Sequence, residues 1–287
     1  MTTTTSEILT VNGVVLNTLA KNIESIAGRL QIPAHITDNV QVPGRHGRLR
    51  TLRKYFDEGQ IVLPMWVKGC LDDGSVPTTN RQVFFANVDA LTRLFYPGNG
   101  MLEVLHTLPD GSIRRIWGEV TEAINFAVQG QNPLGKFSVA MKCPDVFWED
   151  QNNTSVNLTP VWNGAISQFD GMTAPVEDAV ITITGPCTSI KVESLYNGSS
   201  LEVPNWFQYA GTLTGSQTLV VDLDNWTLTG TGGLVVNYSY LTYAGGAKWF
   251  TLVPSPIGQG PGVKITASGT SGATNINLTA KRKYLVG

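Results

Sequence analysis

The chain has 287 residues, with 20 Lys and Arg against 22 Asp and Glu, a formal net charge of −2, 15% charged residues and 42% hydrophobic ones. So few charges, balanced in sign, exclude a disordered chain, a coiled coil and a general nucleic-acid binder. The length favours two domains or one large β-domain, and a core of that size needs neither disulfides nor a metal.

Residues 1–7 hold no basic side chain and lead into no apolar run of secretory length, so folding in a cytoplasm is expected. Ile8 to Val11, then Asn12-Gly13, then Val14, Val15 and Leu16 form a β-hairpin signal, because Asn and Gly tolerate the positive φ of a type I′ turn. A strand is predicted over residues 26–36. The stretch after it is the most distinctive in the chain: Arg45, Arg48, Arg50, Arg53 and Lys54, with His46 beside them and no acidic residue between. It reads either as a patch for phosphate or an acidic partner, or as an exposed strand kept soluble by its charges. The first 150 residues carry 14 basic and 15 acidic side chains, so the excess cancels locally and protein contacts are favoured over nucleic acid.

Residues 61–67 are the longest near-apolar run; they contain Pro64 and fall far short of the roughly 20 needed to span a bilayer. Strands are predicted over 61–67, 83–88, 101–108, 113–122 and 137–143, with turns at Asp72-Asp73-Gly74-Ser75 and Pro109-Asp110-Gly111-Ser112. Val88, Leu91, Leu94 and Phe95, stopped by Pro97-Gly98, predict a short helix over 88–96.

Charge thins sharply after the polar run that begins at Asp150: residues 151–287 hold only 6 basic and 7 acidic side chains. The shift predicts an N-terminal β-domain over 1–150 and a C-terminal one over 151–287. In the latter, strand-like runs at 180–184, 190–195, 218–223, 234–243, 249–253, 263–267 and 275–280 predict an antiparallel sandwich or barrel.

No cofactor, metal or catalytic motif is legible. His35, His46 and His106 are far apart, and Cys70, Cys143 and Cys187 read as small buried hydrophobes. Asp170, Glu177, Asp178, Glu193, Glu202, Asp222 and Asp224 are read as structural in preference to a glycosidase pair. Trp162, Trp206, Phe207, Tyr209, Trp226, Tyr238, Tyr240, Tyr243, Trp249 and Phe250 include candidates for a sugar-stacking platform. At least two thirds of them are expected in the core, with Tyr238 and Tyr240 on one strand face.

Val42-Pro43-Gly44-Arg45-His46-Gly47, the helix carrying Leu91-Thr92-Arg93-Leu94-Phe95, the segment from Lys142 through Pro144-Asp145-Val146-Phe147-Trp148 to Asp150, and the sandwich after it together resemble the distal tail proteins of long, non-contractile-tailed phages. His46 departs from the Asp more usual there. The resemblance implies a mainly β, non-enzymatic virion protein. Its N-terminal β-sandwich or barrel, with one short helix, would form a homohexameric ring at the end of the tail tube. Its C-terminal galectin-like sandwich would project to hold tail-tip parts. Implied partners are copies of itself, the tail tube protein, the tail-tip hub protein and a receptor-binding protein, with DNA only in transit and no membrane insertion. A second reading is a tail-tip adhesion module that contacts host sugars directly.

A six-membered ring lined by the five basic residues would present roughly thirty positive charges and hold passing DNA by counterion release. Arg45, His46, Arg48, Arg50, Arg53 and Lys54 are therefore expected at subunit or partner interfaces, facing carboxylates such as Asp57, Glu58, Asp72 or Asp73 of a neighbour.

Overall fold

The structure is a computed structural model that describes residues 7–24, 35–36, 40–41, 48–49, 55–56, 58–122, 124, 126–128, 133–195, 205–244 and 249–287, the four pairs between 35 and 56 by backbone alone. It is mainly β, and the chain divides into two compact units, Met1–Gln151 with Leu285–Gly287, and Asn152–Tyr284.

The first unit contains β1 (Ile8–Val11), β2 (Val14–Val15), β3 (Lys21–Ile23), β4 (His35–Ile36), β5 (Val40–Gln41), β6 (Arg48–Leu49), β7 (Tyr55–Phe56), β8 (Gly59–Lys68), α1 (Asn80–Leu94), β9 (Met101–Thr107), β10 (Ile113–Val120), β11 (Ala127–Val128), β12 (Leu134–Cys143) and β13 (Trp148–Asp150). Its main sheet is antiparallel and runs β2-β1-β9-β10-β12-β8-β3. The hairpin forms as expected: Val11 pairs with Val14 across Asn12 (φ 45) and Gly13 (φ 78), and Asn12 Oδ1 accepts from Glu103 N at 2.8 Å. Period-2 burial places Ile61, Leu63, Met65 and Val67 of β8 in the core. Pro64 offers no N–H on the side facing β3, and β3 ends its register at Met65, leaving Glu24 N to donate to Pro64 O at 2.8 Å.

The helix differs from expectation. It begins at Asn80, ahead of the 88–96 segment, and absorbs the strand predicted over 83–88. Phe84, Val88, Leu91 and Phe95 recur at spacings of four, three and four, a helical stripe that outweighs the local β preference of Val83-Phe84-Phe85. Phe84 lies over Gly135 of β12, where a Cβ would meet the ring at 3.2 Å. Asn87 Nδ2 ties the helix to the end of β8 by donating to Lys68 O and Cys70 O, and Asn99 Nδ2 donates to the terminal carbonyls of Arg93 and Leu94. The last residues of the chain belong here too: Arg114 Nη1 donates to Val286 O at 2.7 Å, and Gly287 lies against the ring of buried Trp148. Cys70, Cys143 and Cys187 are free and buried, and burial, aided by Asp145, pushes the Cys143 thiol up to about 12.

The second unit contains β14 (Thr154–Leu158), β15 (Val161–Ala165), β16 (Val180–Thr184), β17 (Ser189–Ser194), β18 (Trp206–Tyr209), β19 (Thr218–Asp222), β20 (Thr227–Thr231), β21 (Leu241–Tyr243), β22 (Gly262–Ser268), β23 (Asn275–Ala280) and β24 (Lys283–Tyr284). Two antiparallel sheets, β14-β23-β16-β19-β20 and β15-β22-β17-β18-β21, share one apolar core built from residues such as Ile183, Leu219, Ile276, Ile190, Phe207 and Val263. Outward positions of β14 and β23 carry an uncharged ladder in which Ser155 donates to Asn277 Oδ1 and Asn277 Nδ2 donates to Asn157 Oδ1, both at 2.9 Å.

Two predicted strands shrink. The one expected over 234–243 is confined to Leu241–Tyr243, because Gly232 and Gly233 turn the chain at positive φ and Tyr238–Tyr240 form a 3-10 turn. The one expected over 249–253 reduces to the bridge Val176↔Leu252, since Trp249 and Phe250 are adjacent yet both buried, which an alternating strand does not allow.

Candidate assembly interface

Of the basic residues singled out in the sequence, Arg48 lies in β6 opposite Gln41, and its side chain is outside the described residues, as are Arg45, His46, Arg50, Arg53 and Lys54 entirely. Asp57 is outside them as well. The other carboxylates proposed to face this patch are engaged within the chain. Glu58 takes Lys142 at 2.7 Å, and Asp73 Oδ1 accepts from Ser75 N and Oγ at 2.9 and 2.7 Å. Asp72 takes Lys21 Nζ at 2.9 Å and Thr18 Oγ1 at 2.7 Å. Desolvation pushes the Asp72 carboxyl up, but these two hydrogen bonds and the lysine charge outweigh it and leave it below its ordinary value.

Exposed apolar groups lie on β2 and on the loops beside β3. At the β2 end Val14 and Val15 are exposed. At the β3 end Leu19, Leu71 and Val76 are exposed on adjoining loops, held together by Leu19 N donating to Asp72 O and Leu71 N donating to Ser75 O. Only three residues separate Val15 from Leu19, and Asn17 Oδ1 accepts from Leu9 N while its Nδ2 donates to Asn22 Oδ1, so the two groups are neighbours.

Four carboxylates of the second unit, Asp170, Asp178, Glu193 and Asp222, hold structure. Asp170 Oδ1 accepts from Gly260 N at 2.5 Å, Asp178 pairs with Lys283 at 2.8 Å, and Glu193 takes Lys191 at 2.6 Å and Lys264 at 3.7 Å. Asp222 Oδ1 accepts from the backbone N–H groups of Asp224 and Asn225 at 3.0 Å, and its Oδ2 takes Asn225 Nδ2 at 2.9 Å. Glu202 lies outside the described residues. Among the described residues no three His, Cys, Asp or Glu side chains are placed to hold a metal ion.

The aromatic residues divide differently from expectation. Phe207, Tyr209, Trp249 and Phe250 are buried, Trp162 and Trp206 are half-buried, and Trp226, Tyr238, Tyr240 and Tyr243 are exposed. Tyr238 and Tyr240 leave the core because a 3-10 turn replaces the strand that would have alternated them. Trp226 follows the Asp222 turn with φ 56, the left-handed region. Its ring centroid lies 6.1 Å from that of Trp249, whose other neighbour, Tyr243, is at 6.2 Å. This arrangement is not visible as a spacing pattern; the short run Asp222-Leu223-Asp224-Asn225 ahead of a Trp is its only trace in the sequence.

The Asn225 side chain, and then its backbone N–H, hold the Asp222 carboxyl below the usual carboxylate range. A depressed folded value means this contribution is whole above the ordinary 3.8 and is lost as pH falls through the still lower folded value. Asp222→Asn is therefore expected to melt below the parent at pH values above the ordinary carboxylate value and to converge with it as pH falls through the lowered one, read by circular dichroism.

An antiparallel β-sheet unit carrying one helix, joined to a two-sheet antiparallel sandwich, defines the fold class. Over 96% of this chain and 99% of the other, with a TM-score of 0.61 and 14% identity, the fold is that of the phage SPP1 Dit protein, described as a paradigm of the hub adsorption apparatus in phages infecting Gram-positive hosts. Chains from the phage p2 baseplate in its activated conformation with Sr and from the phage P2 baseplate in its activated conformation with Ca align over 96% and 98% of this chain and 98% and 100% of theirs. Their identities of 10% and 11% and TM-scores of 0.37 and 0.36 carry no fold argument. No family model and no curated protein sequence matches the chain. The resemblance drawn from the sequence is thus met by the SPP1 protein at the level of fold.

Proposed function

We propose that the chain is a non-enzymatic structural subunit of a phage tail tip, a distal tail protein. In this reading the part before residue 151 forms a homohexameric ring at the end of the tail tube, leaving a channel for DNA. The galectin-like sandwich of residues 151–287 holds the tail-tip hub and receptor-binding proteins. Copies of the chain would assemble in the host cytoplasm. The observation that carries the reading is the near full-length likeness to SPP1 Dit. The exposed apolar groups Val14, Val15, Leu19, Leu71 and Val76 are assigned to contacts between copies, each contact burying on the order of 1,000 Å² or more. The six basic residues Arg45, His46, Arg48, Arg50, Arg53 and Lys54 are assigned to those contacts or to the tube.

Light scattering on the purified chain at about 10 μM is expected to give six times 31.0 kDa. Val76→Glu, at a position 68% exposed, is expected to leave the melting temperature within about 2 °C and to break the ring into smaller species. A monomer for the parent chain at every concentration up to that value would overturn the reading.

A further inference from the structure

We propose that a second copy of the chain docks on the free edge of β15 and continues the sheet β15-β22-β17-β18-β21 across a twofold axis at Asn163. The surface lies in the second unit, so it stands apart from the ring contacts assigned to the first. Backbone bonds at the two ends of β15 fix its phase. Ala267 N donates to Pro160 O and Ile166 N to Pro261 O, both at 3.1 Å, in one unbroken register with β22. Pro160, Trp162, Gly164 and Ile166 therefore turn their backbone groups toward β22, and Val161, Asn163 and Ala165 turn theirs away from it. Among the described residues, the N–H groups of these three meet no acceptor. Of their carbonyls only that of Val161 is engaged, by Thr159 Oγ1 at 2.7 Å.

Edge strands are guarded as a rule by a charge, a bulge or a proline whose missing N–H faces the open side. β15 has none of the three. Val161-Trp162-Asn163-Gly164-Ala165 is uncharged and pairs residue for residue, and the proline ahead of it withholds its N–H on the β22 side. Val161 is 75% exposed. A row of backbone donors and acceptors is left open to another strand.

The occupant follows from the strand being its own antiparallel complement. Centred on Asn163, two copies set Trp162 of each across from Gly164 of the other, and Val161 across from Ala165. The half-buried indole then extends over a residue where even a Cβ would meet nothing within 4 Å. On the axis the two Asn163 amides, each both donor and acceptor, satisfy one another. Sliding either copy by two residues would oppose the two indoles or the two glycines, so the sequence admits one register. About six backbone hydrogen bonds form, two in each outward-facing pair. A seam of 5 residues a side falls below the roughly 1,000 Å² of a stable interface, so the pairing is weak and shows at high concentration.

The test is sedimentation of the full chain between about 2 and 200 μM. A reversible rise of about 1.5-fold or more in weight-average mass is expected, as for a Kd of about 100 μM or tighter. The same rise is expected in the Val76→Glu background, so failure of the ring and failure of this contact read differently. In that background Asn163→Lys alone and Asn163→Asp alone are each expected to abolish the rise, because like charges then face each other on the axis, and an equal mixture of the two is expected to restore it. Asn163→Cys is expected to form a disulfide-linked dimer on mild oxidation, since residues opposed in a hydrogen-bonded pair have Cα atoms about 5.5 Å apart. Thr266→Cys, one strand further from the axis, is expected not to, and the three native cysteines are buried. A constant mass overturns the proposal, as does a rise that both charged variants leave intact, a mixture that restores nothing, or equal cross-linking at residues 163 and 266. A strand of another protein held on this edge while the purified chain shows no rise overturns it too.

Discussion

Phe84→Ala is expected to destabilise the first unit by about 4 kcal/mol. The ring is 2% exposed and anchors α1 where Gly135 leaves the surface of β12 bare. Removing it deletes the transfer free energy of a phenyl group and leaves a cavity whose floor, Gly135 of β12 paired with Val67 of β8, is a hydrogen-bonded sheet that cannot rise to fill it. Urea unfolding with hydrogen exchange read at the β8 and β12 amides checks this. A loss below about 1 kcal/mol would mean that Leu91 and Phe95 alone hold the helix.

Arg115→Leu is expected to destabilise the same unit by about 3 kcal/mol. The guanidinium sits between two carboxylates on neighbouring strands. Its Nε donates to Glu149 Oε1 at 2.9 Å, its Nη2 contacts the same oxygen, and its Nη1 lies 3.5 Å from Glu103 Oε1. Desolvation pulls the Arg115 value down, yet Glu149 and then Glu103 outweigh it and leave it raised. With side-chain exposures of 17% for Arg115 and 16% for Glu149, deleting the cation leaves poorly solvated like charges facing each other. The companion change Glu149→Gln is expected to recover about half of the loss in urea unfolding, and strict additivity of the two changes would contradict the coupling.

Where local chemistry decides the backbone, the sequence was readable. Asn12-Gly13 fixes its hairpin through two positive φ values, and β16 and β23 follow their alternating residues to the ends of the strands. Where neighbours decide, it was not. β14, β15 and β20 lie at sheet edges, and β15 and β20 hold mostly half-buried or exposed side chains, so their alternation is weak. Val83-Phe84-Phe85 reads as a strand until the stripe from Phe84 to Phe95 is seen to face a sheet. The basic run of residues 45–54 was legible as a concentration of charge, but charge alone does not say which surface meets it. The aromatic edge was named only as part of a longer set, because what singles out Trp226 is a φ angle, and no spacing of residue types encodes that.

The chain leaves the first unit after Gln151 and re-enters it at Leu285. The second unit is therefore joined to the first by one covalent link after Gln151 and by a three-residue tail that the first unit holds non-covalently. After a proteolytic cut beside Gln151 the fragments stay clasped by Arg114 and Trp148 gripping Val286 and Gly287.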